Sequence, residues 1–216
     1  SQALDKNYID VTSDSLISVA VEYYKDKDDV RSKFLSYYYM GRVHVNGGNS
    51  LKAMLSFTKA EQLEGEMQDS LALGLLYSQL GDLYREYYDF PKSLVAYEKA
   101  GVCYGEISKE RHRLYAMLDQ AYVFRTMGQI GECFQKLLKV RKEAEYLQDS
   151  YLLCSVLGDL LMHYVKEDCI EEAETSFEEL KSQFGLGNKT AAFWGCVSRL
   201  HAAKNNETEA LQALEQ

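Results

Sequence analysis

The chain has 216 residues, 46% of them apolar and 26% charged, with 24 Lys and Arg against 33 Asp and Glu for a formal net charge of -9. That balance excludes disorder as the bulk state and makes the chain a poor general binder of phosphate backbones. A single proline argues against a loop-rich or sandwich-like fold, and no apolar run is long enough to span a membrane.

Hydrophobic periodicity predicts helices from end to end. The stretch to about Ile9 reads as the tail of one helix, and Thr12 or Ser13 caps the next, which runs to about Lys27. Further helices are expected near 29–46, 50–64, 68–88, 91–105, 108–127, 130–144, 148–166, 169–184, 188–204 and 206–216. Pro91 sits where a first helical turn tolerates a missing N–H. Gly47, Gly48 and Asn49 form one turn, Gly128 marks another, and Lys166, Glu167 and Asp168 serve a third. No segment combines strand alternation with strand turn signals, so the chain reads as short antiparallel helices without a flexible linker. It begins with Ser1 rather than methionine and shows no cleavable signal, so both ends read as cuts in a longer protein.

An internal repeat organises these helices. Small residues Gly41, Gly81, Ala121, Gly158 and Gly195 recur at spacings of 40, 40, 37 and 37. A second series, Ala20, Ala53, Ser93, Cys133, Ala173 and Ala210, is followed four residues on by Tyr24, Phe57, Tyr97, Leu137, Phe177 and Leu214. A small residue followed at that offset by a large one marks a close helix crossing with an aromatic or aliphatic beside it. The units are approximately 1–27 (partial), 28–66, 67–107, 108–145, 147–184 and 187–216, in a single repeat domain. On this phasing the second helices of the fourth and fifth units start about three residues late.

The pattern resembles the tetratricopeptide repeat (TPR) family. In the unit from Phe34 the family's motif positions fall on Tyr37, Met40, Gly41, His44, Ala53, Phe57 and Ala60, and in the unit from Gly74 on Tyr77, Leu80, Gly81, Tyr84, Ser93, Tyr97 and Ala100. Weaker matches are Met117, Gln120, Ala121, Phe124, Cys133, Leu137 and Val140, then Cys154, Leu157, Gly158 and Leu161, then Ala191, Trp194, Gly195 and Ser198. The resemblance implies an all-α, right-handed α-α superhelix of stacked pairs. The units run longer than the family's, which predicts longer connections between them. More narrowly, the chain is similar to repeat segments of Bacteroides-type TPR proteins, some of them exported lipoproteins. That implies a periplasmic or membrane-anchored location, with a cytoplasmic one otherwise.

The sequence shows no catalytic, cofactor or metal constellation, so no enzyme activity is expected. His44, His112, His163 and His201 are scattered, and none pairs with another at a metal-binding offset. Glu171, Glu172 and Glu174 read as a favourable first helical turn. Cys103, Cys133, Cys154, Cys169 and Cys196 read as buried free thiols at helical core positions.

Function is therefore expected from surface. The family's phase places Tyr38, Arg42 and Asn46, then Asp82 and Arg85, then Tyr122 and Arg125, then Leu152, Asp159, Met162 and His163 on the concave side. Arg and Tyr are frequent interface anchors, so these positions predict a non-catalytic scaffold that binds a partner protein or peptide segment. The competing reading has Arg85 and Arg125 paired with Asp82, Glu86 and neighbouring carboxylates. The resemblance offers an alternative function, a sensory or regulatory segment of a larger membrane-associated signalling or transcription protein. Neither nucleic-acid binding nor membrane insertion is expected of this region. Weak self-association through Trp194, Leu211 and Leu214 is expected if an array end exposes its apolar face.

Overall fold

Turns with one backbone conformation punctuate the chain and set the length of its helices. The computed structural model describes residues 11–185 and 191–215, and among these it contains eleven α-helices. They are α1 (Ser15–Tyr24), α2 (Val30–Asn46), α3 (Ser50–Glu61), α4 (Ser70–Glu86), α5 (Phe90–Glu106), α6 (Glu110–Thr126), α7 (Ile130–Tyr146), α8 (Ser150–Lys166), α9 (Ile170–Phe184), α10 (Ala191–Ala203) and α11 (Glu207–Leu214). The helix tail expected before Ile9 lies outside the described residues.

Left-handed residues close the turns at Gly48, Tyr88, Ser108, Gly128, Gln148, Asp168 and Asn205. The residue after each donates its N–H back to a carbonyl five residues earlier, as Asn49 does to His44 (2.8 Å), Asp89 to Tyr84 (2.8 Å) and Cys169 to Tyr164 (2.9 Å). This satisfies carbonyls that the helix end would otherwise leave unpaired. That same residue then opens the next helix. Asn49, Asp89 and Asp149 each accept a backbone N–H from the first turn through the side chain, as do Asp29 and Asp69 at other helix starts. Six helices, α2 and α4 to α8, are 17 residues long. The extra length over the family's unit therefore lies in the helices. The longer connections expected between units occur in part: among the described residues the links 25–29 and 62–69, the latter with a short 3-10 turn, exceed three residues, whereas 107–109 and 147–149 are three-residue turns.

The chain divides into two compact units, Ser1–Ala116 and Met117–Gln216, with the boundary inside α6. In unit 1, α2 packs with α3 and α4 with α5 around Phe34, Phe57, Leu76, Tyr77 and Leu80. A Cβ on Gly41 would lie 2.3 Å from the Phe57 ring, and one on Gly81 would lie 2.6 Å from the Tyr97 ring. The small residues are thus where the helix backbones meet a buried ring. Ser93 Oγ donates to the Gly81 carbonyl at 2.8 Å and ties the α4–α5 crossing.

In unit 2, α8 packs with α9 and α10 with α11 around Leu157, Leu161, Phe177, Leu180 and Val197. Here the structure corrects the sequence phase. Eight residues before the cap residues Asn49, Asp89 and Gln129 stand the crossing residues Gly41, Gly81 and Ala121. The same count from Cys169 and Asn206 gives Leu161 and Ser198, not Gly158 and Gly195. Ser198 Oγ donates to the Ala210 carbonyl at 2.8 Å, across the same twelve-residue separation as Ser93 and Gly81. A Cβ on Gly158 would find only Leu180 Cδ1 at 3.9 Å, and one on Gly195 would meet nothing within 4 Å. The late helix starts expected in the fourth and fifth units therefore disappear.

The cysteines also depart from expectation. Only Cys133 is buried, while Cys103, Cys154, Cys169 and Cys196 are half-buried. Cys169 lies at the α9 cap rather than inside a helix.

The crossing geometry makes a sharp contrast. Gly41→Ala or Gly81→Ala is expected to destabilise the protein by about 1–3 kcal/mol, because the buried ring facing each has no room to withdraw. Gly158→Ala is expected to be neutral or to stabilise by up to about 1 kcal/mol through helix propensity. Urea midpoints of the three variants check this, and equal losses in all three would refute the phase.

Candidate functional site

The first helices of unit 1, α2 and α4, carry five of the residues expected to bind a partner. Tyr38 is a correction: it is 4% exposed, packed against Tyr39 and the Phe57 ring, and offers no anchor to a partner. Its ring is buried because α2 turns Phe34, Tyr38, Tyr39 and Val43 inward together, with Phe57 of α3 against it. Arg42 Nη1 donates to Gln79 Oε1 at 2.9 Å, linking α2 to α4. Asn46 Nδ2 donates to the Val11 carbonyl at 3.4 Å. Asp82 Oδ1 accepts from Arg85 Nη2 at 3.0 Å and from the Tyr97 hydroxyl at 2.7 Å. These polar groups therefore already serve the internal packing of unit 1.

Unit 2 brings four of the expected residues together, Arg125, Asp159, Met162 and His163. A cavity of about 380 Å³ is lined by Arg125 from α6, Ile130, Cys133 and Leu137 from α7, and Asp159, Met162, His163 and Lys166 from α8. Arg125 Nη1 donates to Asp159 Oδ1 at 2.7 Å, and its guanidinium lies 5.0 Å from the Tyr122 ring centre. Tyr122 itself is 46% exposed. The His163 ring stacks on Phe134, with centroids 4.4 Å apart and planes 24° from parallel. The floor is apolar and the rim is charged, which is the composition of a pocket that holds an apolar side chain and orients its polar neighbours.

The corrected phase explains what the sequence reading missed. On the register of Arg42 and Asn46, the equivalent positions of α8 are Met162 and Lys166, and Lys166 belongs to the cavity. Leu152, expected on the concave side, is fully buried instead. Asp159 falls on the register of Gln79, and both accept from an arginine of an earlier first helix. Lys166 makes no ion pair among the described residues. Ile130, Cys133 and Leu137 come from a second helix, where the repeat pattern signals only packing.

No group of three or more His, Cys, Asp or Glu among the described residues is placed to hold a metal ion. No helix among them is long and apolar enough to cross a membrane. At the C-terminal end, Leu211 and Leu214 are exposed, while Trp194 packs half-buried on Phe193.

Burial holds His163 below the usual histidine value of 6.5, opposed in part by Glu167, and burial also lowers His44. The folded state therefore resists protonation while the unfolded chain does not. Below about pH 6.5 the unfolded chain binds more protons, so stability falls as pH drops through that value and levels off below the folded-state pKa. His163→Gln is expected to flatten part of this slope, read from urea midpoints at about pH 7 and about pH 5. An unchanged slope, or a His163 ring that titrates by NMR at or above the usual value, would show that burial does not control it.

No protein-family model and no curated protein matches the sequence. Solved structures do match its fold. BtubC (BKLC) from P. vanneervenii is similar with a TM-score of 0.71 at 17% identity, over 93% of this chain and 86% of that one. YrrB, described as a TPR protein with an unusual peptide-binding site, has a TM-score of 0.61 at 16% identity, over 94% and 91%. A chain of nearly identical TPR-like repeats from Podosopora anserina has a TM-score of 0.66 at 15% identity, over 85% and 92%. At these identities the likeness is one of fold, and the chain has the all-α, TPR-like helical-repeat fold that its periodicity predicts.

Proposed function

We propose that this protein is a non-catalytic interaction scaffold that binds a segment of a partner protein on the first helices of its repeats. The observation that carries this reading is the unit 2 cavity, where Arg125, Asp159, His163 and Lys166 surround an apolar floor with the exposed Tyr122 ring beside it. The TPR-like fold supports it, since stacked helix pairs present preformed surface at low ordering cost. The bound segment inserts an apolar side chain over Leu137 and Met162. It places a carboxylate toward Lys166, while the Arg125–Asp159 pair fixes the orientation of the rim. In unit 1, Arg42, Asn46, Asp82 and Arg85 are proposed as secondary contacts, each reaching the partner only through a side chain already held by the fold.

The test begins with partners captured on the immobilised protein and continues by isothermal titration. Met162→Asp and Lys166→Ala are each expected to weaken a true partner by about 1–2 kcal/mol, the usual threshold for an interface anchor, with circular dichroism unchanged. Arg42→Ala is expected to cost less. Affinity unchanged in both unit 2 variants would remove the cavity from the interface.

A further inference from the structure

A second surface lies on unit 1, on helices that the reading above does not use. The segment Lys52–Lys59 of α3 and the segment Lys92–Lys99 of α5 share one pattern forty residues apart, lysine, then an apolar residue three on, then lysine seven on. Offsets of three and seven place all three residues on one helical face. The apolar members are Leu55 and Val95, and they are 59% and 55% exposed. The equivalent positions of α7 and α9 read Glu132, Gln135, Lys139 and Glu172, Thr175, Glu179, so the pattern is confined to unit 1.

Three of these lysines stand over aromatic side chains of the first helices. Lys59 Nζ is 5.5 Å from the Tyr37 ring centre, Lys92 Nζ 5.5 Å from Tyr84 and Lys99 Nζ 4.4 Å from Tyr77. This seating orients the ammonium groups and spares part of the cost of ordering them on binding. A cavity of about 280 Å³ is lined by Tyr77 and Tyr84 of α4, Pro91, Lys92, Val95, Ala96 and Lys99 of α5, and Glu61 at the end of α3. Lys92 pairs with Asp89 at 2.8 Å and Lys99 with Glu64 at 3.1 Å, whereas Lys52 and Lys59 make no ion pair among the described residues.

We propose that this face of unit 1 docks an acidic, apolar segment of a partner protein. The segment's carboxylates meet Lys52, Lys59, Lys92 and Lys99, and an apolar side chain enters the cavity against Tyr84 and Val95. Charge complementarity selects this occupant, since Lys52 and Lys59 make no ion pair among the described residues and flank the exposed Leu55 on a chain whose net charge is -9. Nucleic acid fits less well, because the centre of each pattern is an exposed apolar side chain, Leu55 or Val95, which a phosphate backbone does not engage.

The probe is a fluorescein-labelled peptide of alternating glutamate and leucine, followed by anisotropy at low salt. A matched lysine–leucine peptide, a glutamate-only peptide and a single-stranded oligonucleotide serve as competitors. The glutamate–leucine peptide is expected to bind more tightly than all three. Lys52→Glu with Lys59→Glu, which disturbs no ion pair among the described residues, is expected to weaken it by about tenfold or more. Leu55→Ser with Val95→Ser is expected to do the same. Binding of the oligonucleotide or the lysine–leucine peptide as tight as that of the probe would overturn the proposal. So would full affinity in the Lys52→Glu, Lys59→Glu variant with unchanged circular dichroism, or a glutamate-only peptide that binds equally well.

Discussion

The backbone hydrogen bond that closes each turn is the constraint on which the rest depends. A left-handed residue reverses the chain, the next N–H reaches back five residues, and that residue at once opens a new helix. One residue thus ends one helix and starts the next, which leaves no freedom in the length of the link. Because the turn is fixed, each first helix meets its partner at the same count from the cap. A bulky residue at that count in α2 or α4 would collide with Phe57 or Tyr97, so the crossing residue there is glycine. The turn tolerates Tyr88, Gln148 and Asp168 in the left-handed conformation, which shows that packing on both sides outweighs the local cost of about 1–2 kcal/mol for a side chain there.

Polar groups on the first helices serve two ends. Arg42 reaches Gln79 and Arg125 reaches Asp159, each bond joining one first helix to the next in its own unit. Such bonds between half-exposed groups contribute modestly to stability but fix geometry. A side chain held in place costs less to order when a partner arrives, yet it has less to give, since its best acceptor is already taken. The unit 2 cavity resolves this tension differently from unit 1. There the pair sits at the rim of an apolar floor, and Lys166 adds a cation without an ion-pair partner among the described residues. In unit 1 the corresponding face offers Asp82 bound to both Arg85 and Tyr97.

The tyrosines follow from the same architecture. Tyr77 and Tyr97 are fully buried at helix crossings, yet their hydroxyls reach polar partners, Lys99 and Asp82 respectively. Burial with the Glu64 carboxylate nearby pushes the Tyr77 hydroxyl far above the usual tyrosine range, so it stays protonated. A ring that is dry at one end and hydrogen-bonded at the other suits a seam between helices, and a repeat has more seams than a globule.

The sequence by itself determined the helix class and the pairing of helices, and it located the crossing residues Gly41 and Gly81, because there the small residue recurs in step with a large ring on the next helix. It also included Arg125, Asp159 and His163 among its concave-side candidates, alongside Tyr38, Arg42, Asn46, Asp82, Arg85 and Tyr122. It did not determine the phase of the last two pairs. Gly158 and Gly195 imitate the crossing glycines, and a pattern of small residues cannot distinguish a crossing from a glycine with nothing beside it. Nor did it show that Tyr38 is buried or that Lys166 belongs to the cavity, since both depend on which helix faces which. Those assignments were decided by the tertiary structure, where the turn hydrogen bonds at Cys169 and Asn206 fix the count and the buried rings fix the contact.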